Sequence, residues 1–301
     1  MRININILLF LFICTQFSCM QEKNEMDQLT ERIEKELNIE GAEFGVAFKD
    51  LKSGNTILIN AKKSFHAAST MKTPVLVEIY RQASLGKFSM TDSINISNNF
   101  KSIVDGSPFS LSTADDSELE LYNRLGEKES IYSLAHAMII RSSNLATNIL
   151  IELVTADSVM KTMKSIGAND IKVLRGVEDN KAFHAGMNNT TTAYDLMLLF
   201  ELLAQEKLVN DSSSREMINI LLDQEFGEII PAKLPDGVKV AHKTGSITGI
   251  HHDSGFVILP DGRRYVLVLL SKFNQADEKK VIAAMAEVSR MIYDEVAATA
   301  G

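Results

Sequence analysis

Strand-forming residues sit at the two ends of this chain and helix-type periodicity fills almost everything between, so the fold has to bring its ends together. Phe44 to Phe48 and Thr56 to Ile59 read as short strands joined by the turn chemistry of Lys52-Ser53-Gly54-Asn55, a hairpin. Val238 to His242, Gly255 to Leu259 and Tyr265 to Leu270 read as three more, the last two joined by Pro260-Asp261-Gly262. Helical spacing is expected over 70–84, 130–141, 145–155, 157–166, 191–205 and 213–222. Two further helices flank the strands: Asp27 to Leu37, with Leu29, Ile33 and Leu37 on one face, and Asp277 to about Val296. The expectation is an α+β fold in which both terminal strand sets form one antiparallel sheet, with the terminal helices against a face. That sheet lobe covers about 27–64 and 206–298. A helical lobe covers about 65–205, and a cleft between lobes is where sites tend to lie.

The first residues read as a targeting segment. Arg2 is the only charge before Glu22, and Ile7 to Cys14 is an unbroken apolar run. That run falls far short of the roughly 20 residues of a spanning helix, and fits a secretory signal over 1–18. Gln16-Phe17-Ser18-Cys19 resembles a bacterial lipoprotein box, with Gln16 where a Leu is usual. The expectation is an exported, periplasmic protein attached to a membrane through a lipidated Cys19, with 19–26 as a polar tether; the domain then runs over 27–298. Cys14 and Cys19 are the only cysteines, so the body holds no disulfide, thiolate nucleophile or cysteine metal site. A net charge of −8 argues against a nucleic-acid partner, which calls for a basic face. No long apolar patch or heptad is evident, so a monomer is expected.

Chemistry therefore rests on serine, lysine and carboxylates. There is no H-E-x-x-H, and the adjacent His251 and His252 would point to opposite faces of a strand, a poor chelate. No metal and no cofactor is expected. Ser69 lies where an irregular stretch enters a helix, the place of an N-terminal cap, and Lys72 is one turn on, on the same face. An uncharged lysine there can take the serine proton, provided burial or a neighbouring cation lowers its pKa. Ser84-Leu85-Gly86-Lys87 has the same spacing but falls at a helix end. Ser142-Ser143-Asn144 lies between two helices, where a bend can project a hydroxyl and an amide into the cleft; alone it reads equally as a capping serine with an Asn turn. Lys243-Thr244-Gly245-Ser246 ends a strand, and its glycine allows close backbone approach. Lys243 also supplies a like charge beside Lys72.

In this order, S-x-x-K, S-x-N and K-T-G resemble the motif set of the penicillin-recognising serine enzymes, and most closely the class A β-lactamases. Phe65, the stretch Asn144 to Asn148, Thr190-Thr191-Thr192 and the Pro-Asp-Gly turn fit the same pattern, so the resemblance covers roughly 27–298. It implies the serine β-lactamase/penicillin-binding-protein fold, a five-stranded antiparallel sheet flanked by helices plus an all-helical lobe. It implies acyl transfer to a β-lactam or peptidoglycan-like substrate. Ser69 would be the nucleophile and Lys72 the general base or its partner. Ser142 would relay the proton, and Asn144 would bind the substrate amide side chain. Lys243 and Thr244 would hold the substrate carboxylate, with Ser69 N–H and Ser246 N–H as oxyanion hole.

The chain departs from that family in places. Ser143 stands where an Asp is usual. The loop arginine fits Arg175, but Glu178 lies one residue beyond the family's water-activating glutamate, Ala182 stands where an Asn should follow it, and Asn189 replaces the loop's aspartate. Glu178 is the candidate deacylation base; a solvated carboxylate, or one paired with Arg175, is the alternative. His251, His252 and Asp253 stand where an arginine often anchors the substrate carboxylate. Three readings stay open: a β-lactamase, a D-Ala-D-Ala peptidase or esterase of this fold, and a non-turnover acyl-binding cell-wall lipoprotein.

Overall fold

The computed structural model describes residues 25–298. The signal segment, Cys19 and the tether up to residue 24 lie outside the described residues. Residues 25 and 26, expected in the tether, already belong to the first helix, α1, over 25–36.

Five strands form the sheet: β1 (Ala42–Asp50), β2 (Thr56–Ile59), β3 (Lys239–Ile247), β4 (Ile250–Ile258) and β5 (Arg264–Phe273). Their spatial order is β2-β1-β5-β4-β3. Every pairing is antiparallel, and the two strand sets meet where β1 pairs with β5, Val46 opposite Leu269. The period of two then sorts β5 into two cores. Val266, Val268 and Leu270 join the core shared with the helical lobe, while Tyr265, Leu267 and Leu269 join the core of the other face, with Leu29 and Ile33 from α1. Val281, Val288 and Ile292 of α9 (Glu278–Ala298) close that second core. Each such side chain contributes about 1.5–3 kcal/mol by leaving water.

The helical lobe is built around α2 (Lys72–Ser84), of which Val75, Leu76, Val77 and Ile79 are all fully buried. Burial all round marks a central helix rather than a surface one. It is wrapped by α3 (Ile131–Ile140), α4 (Asn144–Val154) and α5 (Ala156–Ser165). A short helix, α6 (Asn180–His184), was not expected from the sequence; Asp179 caps it through Ala182 N. α7 (Ala193–Ala204) packs against β1, β4 and β5. It starts later than the expected 191 because Thr190–Thr191 pairs with Phe65–His66 and Thr192 serves as the cap. α8 (Asp211–Leu222) packs on β3, α2 and α3, and its apolar face joins the core shared by the sheet and the helical lobe.

Strands β3 and β4 run longer than expected, through Lys243–Ser246 and through His251–Asp253. Polar residues hid both extensions, because there the side chains serve the cleft or pair internally.

Candidate active site

Ser69 sits in a 3-10 turn, Ala68–Met71, that leads into α2. The expected capping role does not hold. α2 begins at Lys72 with Met71 in the cap position and no side-chain cap, so the Ser69 hydroxyl caps nothing. What sets the turn is upstream: Ala68 takes φ +45°, a left-handed conformation uncommon for a residue with a Cβ, and its N–H donates to His66 Nδ1 at 3.1 Å. Ser69 is half-buried and lines the cleft between the lobes.

The Lys72 amine is buried and turned onto the bend before α4. It donates to Ser142 O at 2.6 Å, Ser142 Oγ at 3.1 Å and Asn144 Oδ1 at 2.9 Å. Burial brings its pKa down to about 7, against the opposing pull of the Asp116 and Glu178 carboxylates. Desolvation thus does what the sequence left to either burial or a neighbouring cation. Lys243, equally buried, is pushed well below the ordinary lysine value by burial first and by the Lys72 charge second.

Ser142 holds φ +56° at the bend, strain of about 1–3 kcal/mol that the surrounding bonds maintain. Its Oγ accepts from Lys72 Nζ and from Lys243 Nζ, both at 3.1 Å. Ser143 turns inward and caps α4, accepting from Ala146 N at 3.2 Å. Asn144 is fully engaged: besides accepting from Lys72, its Nδ2 donates to Asp115 O at 2.9 Å and to Glu178 Oε1 at 2.8 Å. Both N–H groups of its side chain are therefore spent on the protein.

β3 is an edge strand, which frees its outer side for the cleft. At Gly245 a Cβ would stand 3.1 Å from both Ser69 N and Thr70 N, so the missing side chain is what lets the strand approach the nucleophile turn. Thr244, Gly245 and Ser246 line the same cleft as Ser69 and Ser142. Phe226, from the segment after α8, forms an apolar part of its wall and had no signal in the sequence.

Glu178 stands at φ +60° in the loop between α5 and α6. Burial raises its pKa, opposed by the Asn144 bond and a weak bond from Ser112 N at 3.4 Å, and assisted by the Asp115 and Asp116 charges. Glu178 is not paired with Arg175. That guanidinium instead donates to Met187 O at 3.0 Å, Gly176 O at 3.0 Å and Asn188 Oδ1 at 3.4 Å. Asn189 closes the loop through backbone: it accepts from Leu174 N and donates to Arg175 O at 2.9 Å. The loop is fixed below by Asn148, which accepts from Val177 N at 2.7 Å and donates to Val177 O at 3.0 Å. A Cβ on Gly176 would fall 2.2 Å from Asn148 Oδ1, so this clamp needs glycine for approach.

The histidine pair divides as a strand dictates. His252 is buried, with Nε2 2.9 Å from His66 O, and burial lowers its pKa to about 4, which keeps it neutral. His251 faces the other way, with Nε2 2.7 Å from Glu278 Oε1. Asp253 is buried against His242 Nδ1 at 2.8 Å and Ile230 N at 3.0 Å. Of the three residues in the expected anchor region, only the two histidines line the cleft. No cluster suited to a metal ion occurs among the described residues.

Residues 28–296 match the sequence model of the Beta-lactamase enzyme family. The chain is 25% identical to Beta-lactamase VEB-1 of Pseudomonas aeruginosa, over 95% of this chain and 96% of that one. It is 24% identical to a Beta-lactamase of Bacteroides uniformis, over 95% and 98% of the two chains. Among solved structures, TLA-1 extended spectrum Beta-lactamase superposes with a TM-score of 0.78 at 22% identity, covering 90% of this chain and 99% of that one. PBP-A superposes equally well, with a TM-score of 0.78 at 24% identity over 90% and 96% of the two chains. With a family match spanning nearly all of the described residues, and the five-stranded antiparallel sheet and helical lobe of those structures, this chain belongs to the beta-lactamase enzyme family.

Proposed function

We propose that the protein is a class A-type serine β-lactamase that opens the β-lactam amide through an acyl-enzyme on Ser69. The observation that carries this reading is the Lys72 amine, buried one turn after Ser69, with a pKa near 7 and in contact with the Ser142 hydroxyl that Lys243 also touches. At neutral pH a large fraction of that amine is uncharged and able to accept a proton.

Ser69 Oγ adds to the lactam carbonyl carbon as its proton passes to Lys72. The developing oxyanion is met by Ser69 N–H and Ser246 N–H, supported by the close approach of β3 at Gly245. The carbon–nitrogen bond then breaks, and the ring nitrogen takes its proton from Ser142, which is resupplied by the Lys72 ammonium. Lys243 and Thr244 hold the substrate carboxylate. For the second half, a water attacks the Ser69 ester as its proton passes to Glu178, and Ser69 leaves with a proton. Burial raises the Glu178 pKa toward the range of a useful base.

A second reading, a D-Ala-D-Ala peptidase or esterase or an acyl-binding lipoprotein, is favoured by one observation. Ala182 stands where the family places a second amide to hold that water, and its side chain is fully buried in α6. Mixing purified protein with a chromogenic cephalosporin separates the readings. Sustained colour supports the β-lactamase. One stoichiometric burst with a mass adduct on Ser69 supports the second reading, and no adduct removes the acyl-enzyme altogether. Export, lipid attachment through Cys19, periplasmic exposure and a monomeric state rest on the sequence. Among the described residues no helix is long and apolar enough to cross a membrane. A Cys19→Ala variant is expected to lose labelling by radioactive palmitate.

A further inference from the structure

The bend that carries Ser142 and Asn144 lacks the carboxylate that the motif usually supplies, since Ser143 stands there. The structure brings one in from elsewhere. The segment after Ser112 passes across the start of α4, and Asp116 reaches into it from 28 residues away: its Oδ2 accepts from Asn144 N at 3.0 Å, from Leu145 N at 2.9 Å and from Tyr122 OH at 3.0 Å. Its Oδ1 accepts from Glu118 N at 3.1 Å, and the side chain is buried. The same segment holds the bend at two more points, through Asp115 O to Asn144 Nδ2 at 2.9 Å and through Ser117 Oγ to Arg141 O.

We infer that Asp116 is a positioning residue that performs, from the loop before α3, the task of the absent motif carboxylate: it fixes the Ser142–Asn144 bend and supplies a negative charge beside the buried Lys72. Helix geometry supports this. The first N–H groups of α4 have no partner within the helix and carry the positive end of its dipole, so a buried carboxylate there is both satisfied and stabilising. Ser143 already satisfies Ala146 N, which leaves Asn144 N and Leu145 N for Asp116. The charged groups acting on the Lys72 amine are Lys243 from β3, Glu178 from its loop and Asp116, and Asp116 favours the ammonium form. The inference rests on the proposed role of Lys72 as proton acceptor.

The test is the pH profile of Ser69 acylation by a chromogenic cephalosporin, with melting temperature measured in parallel, for wild type, Asp116→Asn, Ser143→Asp and the double variant. Asp116→Asn is expected to slow acylation at least tenfold and to move the midpoint of its rise with pH downward. A scaffold role alone would lower the rate at every pH without moving the midpoint. Ser143→Asp is expected to destabilise the native background, where two carboxylates crowd one helix start, yet to restore stability, rate and midpoint in Asp116→Asn. If Asp116→Asn does not fold, recovery of a folded, acylating double variant supports the inference and its failure to fold overturns it. The same effect of Ser143→Asp in both backgrounds, or an unmoved midpoint, also overturns it. Wild type that never forms the Ser69 adduct removes the Lys72 reading instead, a result recognisable before any variant is made.

Discussion

Asn144 donates to Glu178 Oε1 at 2.8 Å while its own Oδ1 accepts from Lys72 Nζ at 2.9 Å. One short side chain thus stands between the group proposed to activate the serine and the group proposed to activate water. Asn144→Asp places a carboxylate against Glu178 and beside Lys72. Its charge favours the ammonium form of Lys72 and the protonated form of Glu178, so both half-reactions should slow at pH 7, by about 10–100-fold. The check is pre-steady-state turnover at several pH values, in which both pH limbs should move upward.

The Lys72 pKa sets a pH dependence whose sign is fixed. With a value of about 7, roughly a tenth of the amine is uncharged at pH 6 and about nine-tenths at pH 8. Acylation of Ser69 in stopped flow should therefore rise about tenfold over that interval and level off above it. Lys72→Arg, which stays charged, should abolish the burst at every pH.

Glu178 is held at a stability cost, because burial raises its pKa and its backbone takes φ +60°. A folded-state pKa above the unfolded value means the folded chain holds its proton longer, so stability is lost as pH rises through the folded pKa. Glu178→Gln keeps the strained backbone but removes this loss. Its melting temperature should match wild type in acid and exceed it at pH 7. The same variant should acylate and then stall, with the Ser69 adduct persisting in the mass spectrum.

Gly176→Ala should separate the two halves of the reaction by geometry alone. Its Cβ would fall 2.2 Å from Asn148 Oδ1, so the Val177 clamp has to open and the Glu178 loop with it. A loss of about 1–3 kcal/mol is expected in urea unfolding, from overpacking plus broken hydrogen bonds. Acylation should survive while deacylation falls at least 100-fold.

Gly245→Ala acts on the first half instead. A Cβ there meets Ser69 N and Thr70 N at 3.1 Å, and the strand must retreat by a few tenths of an ångström from the turn that positions the nucleophile. Acylation should fall by about 10–100-fold with little change in melting temperature.

Ser69, Lys72, Ser142 and Lys243 were legible because their motifs are short and each lies on one element edge: a helix start, a bend, a strand. The turn that holds Ser69 was not legible, since nothing in Ala68 announces a left-handed backbone. Glu178 could be named from its loop, but its partner could not, because whether it meets Arg175 or Asn144 depends on how that loop folds back over α4. Asp116 went unread for a similar reason. Its partners at Asn144 and Leu145 lie 28 and 29 residues away, and a carboxylate in a polar loop ordinarily means solvent. The five strands were anticipated, yet β3 and β4 were cut short where polar side chains broke the apolar pattern. Those breaks mark the segments that line the cleft.

The partnership of Ala42–Asp50 with Arg264–Phe273 fixes when this molecule can become itself. During synthesis the amino-terminal hairpin emerges early and waits for a neighbour encoded more than two hundred residues later, Ala42 opposite Phe273. Contacts of such separation form slowly, because a long loop must close before they return any stabilisation. The sheet therefore closes only after the helical lobe encoded between its two halves has been synthesised.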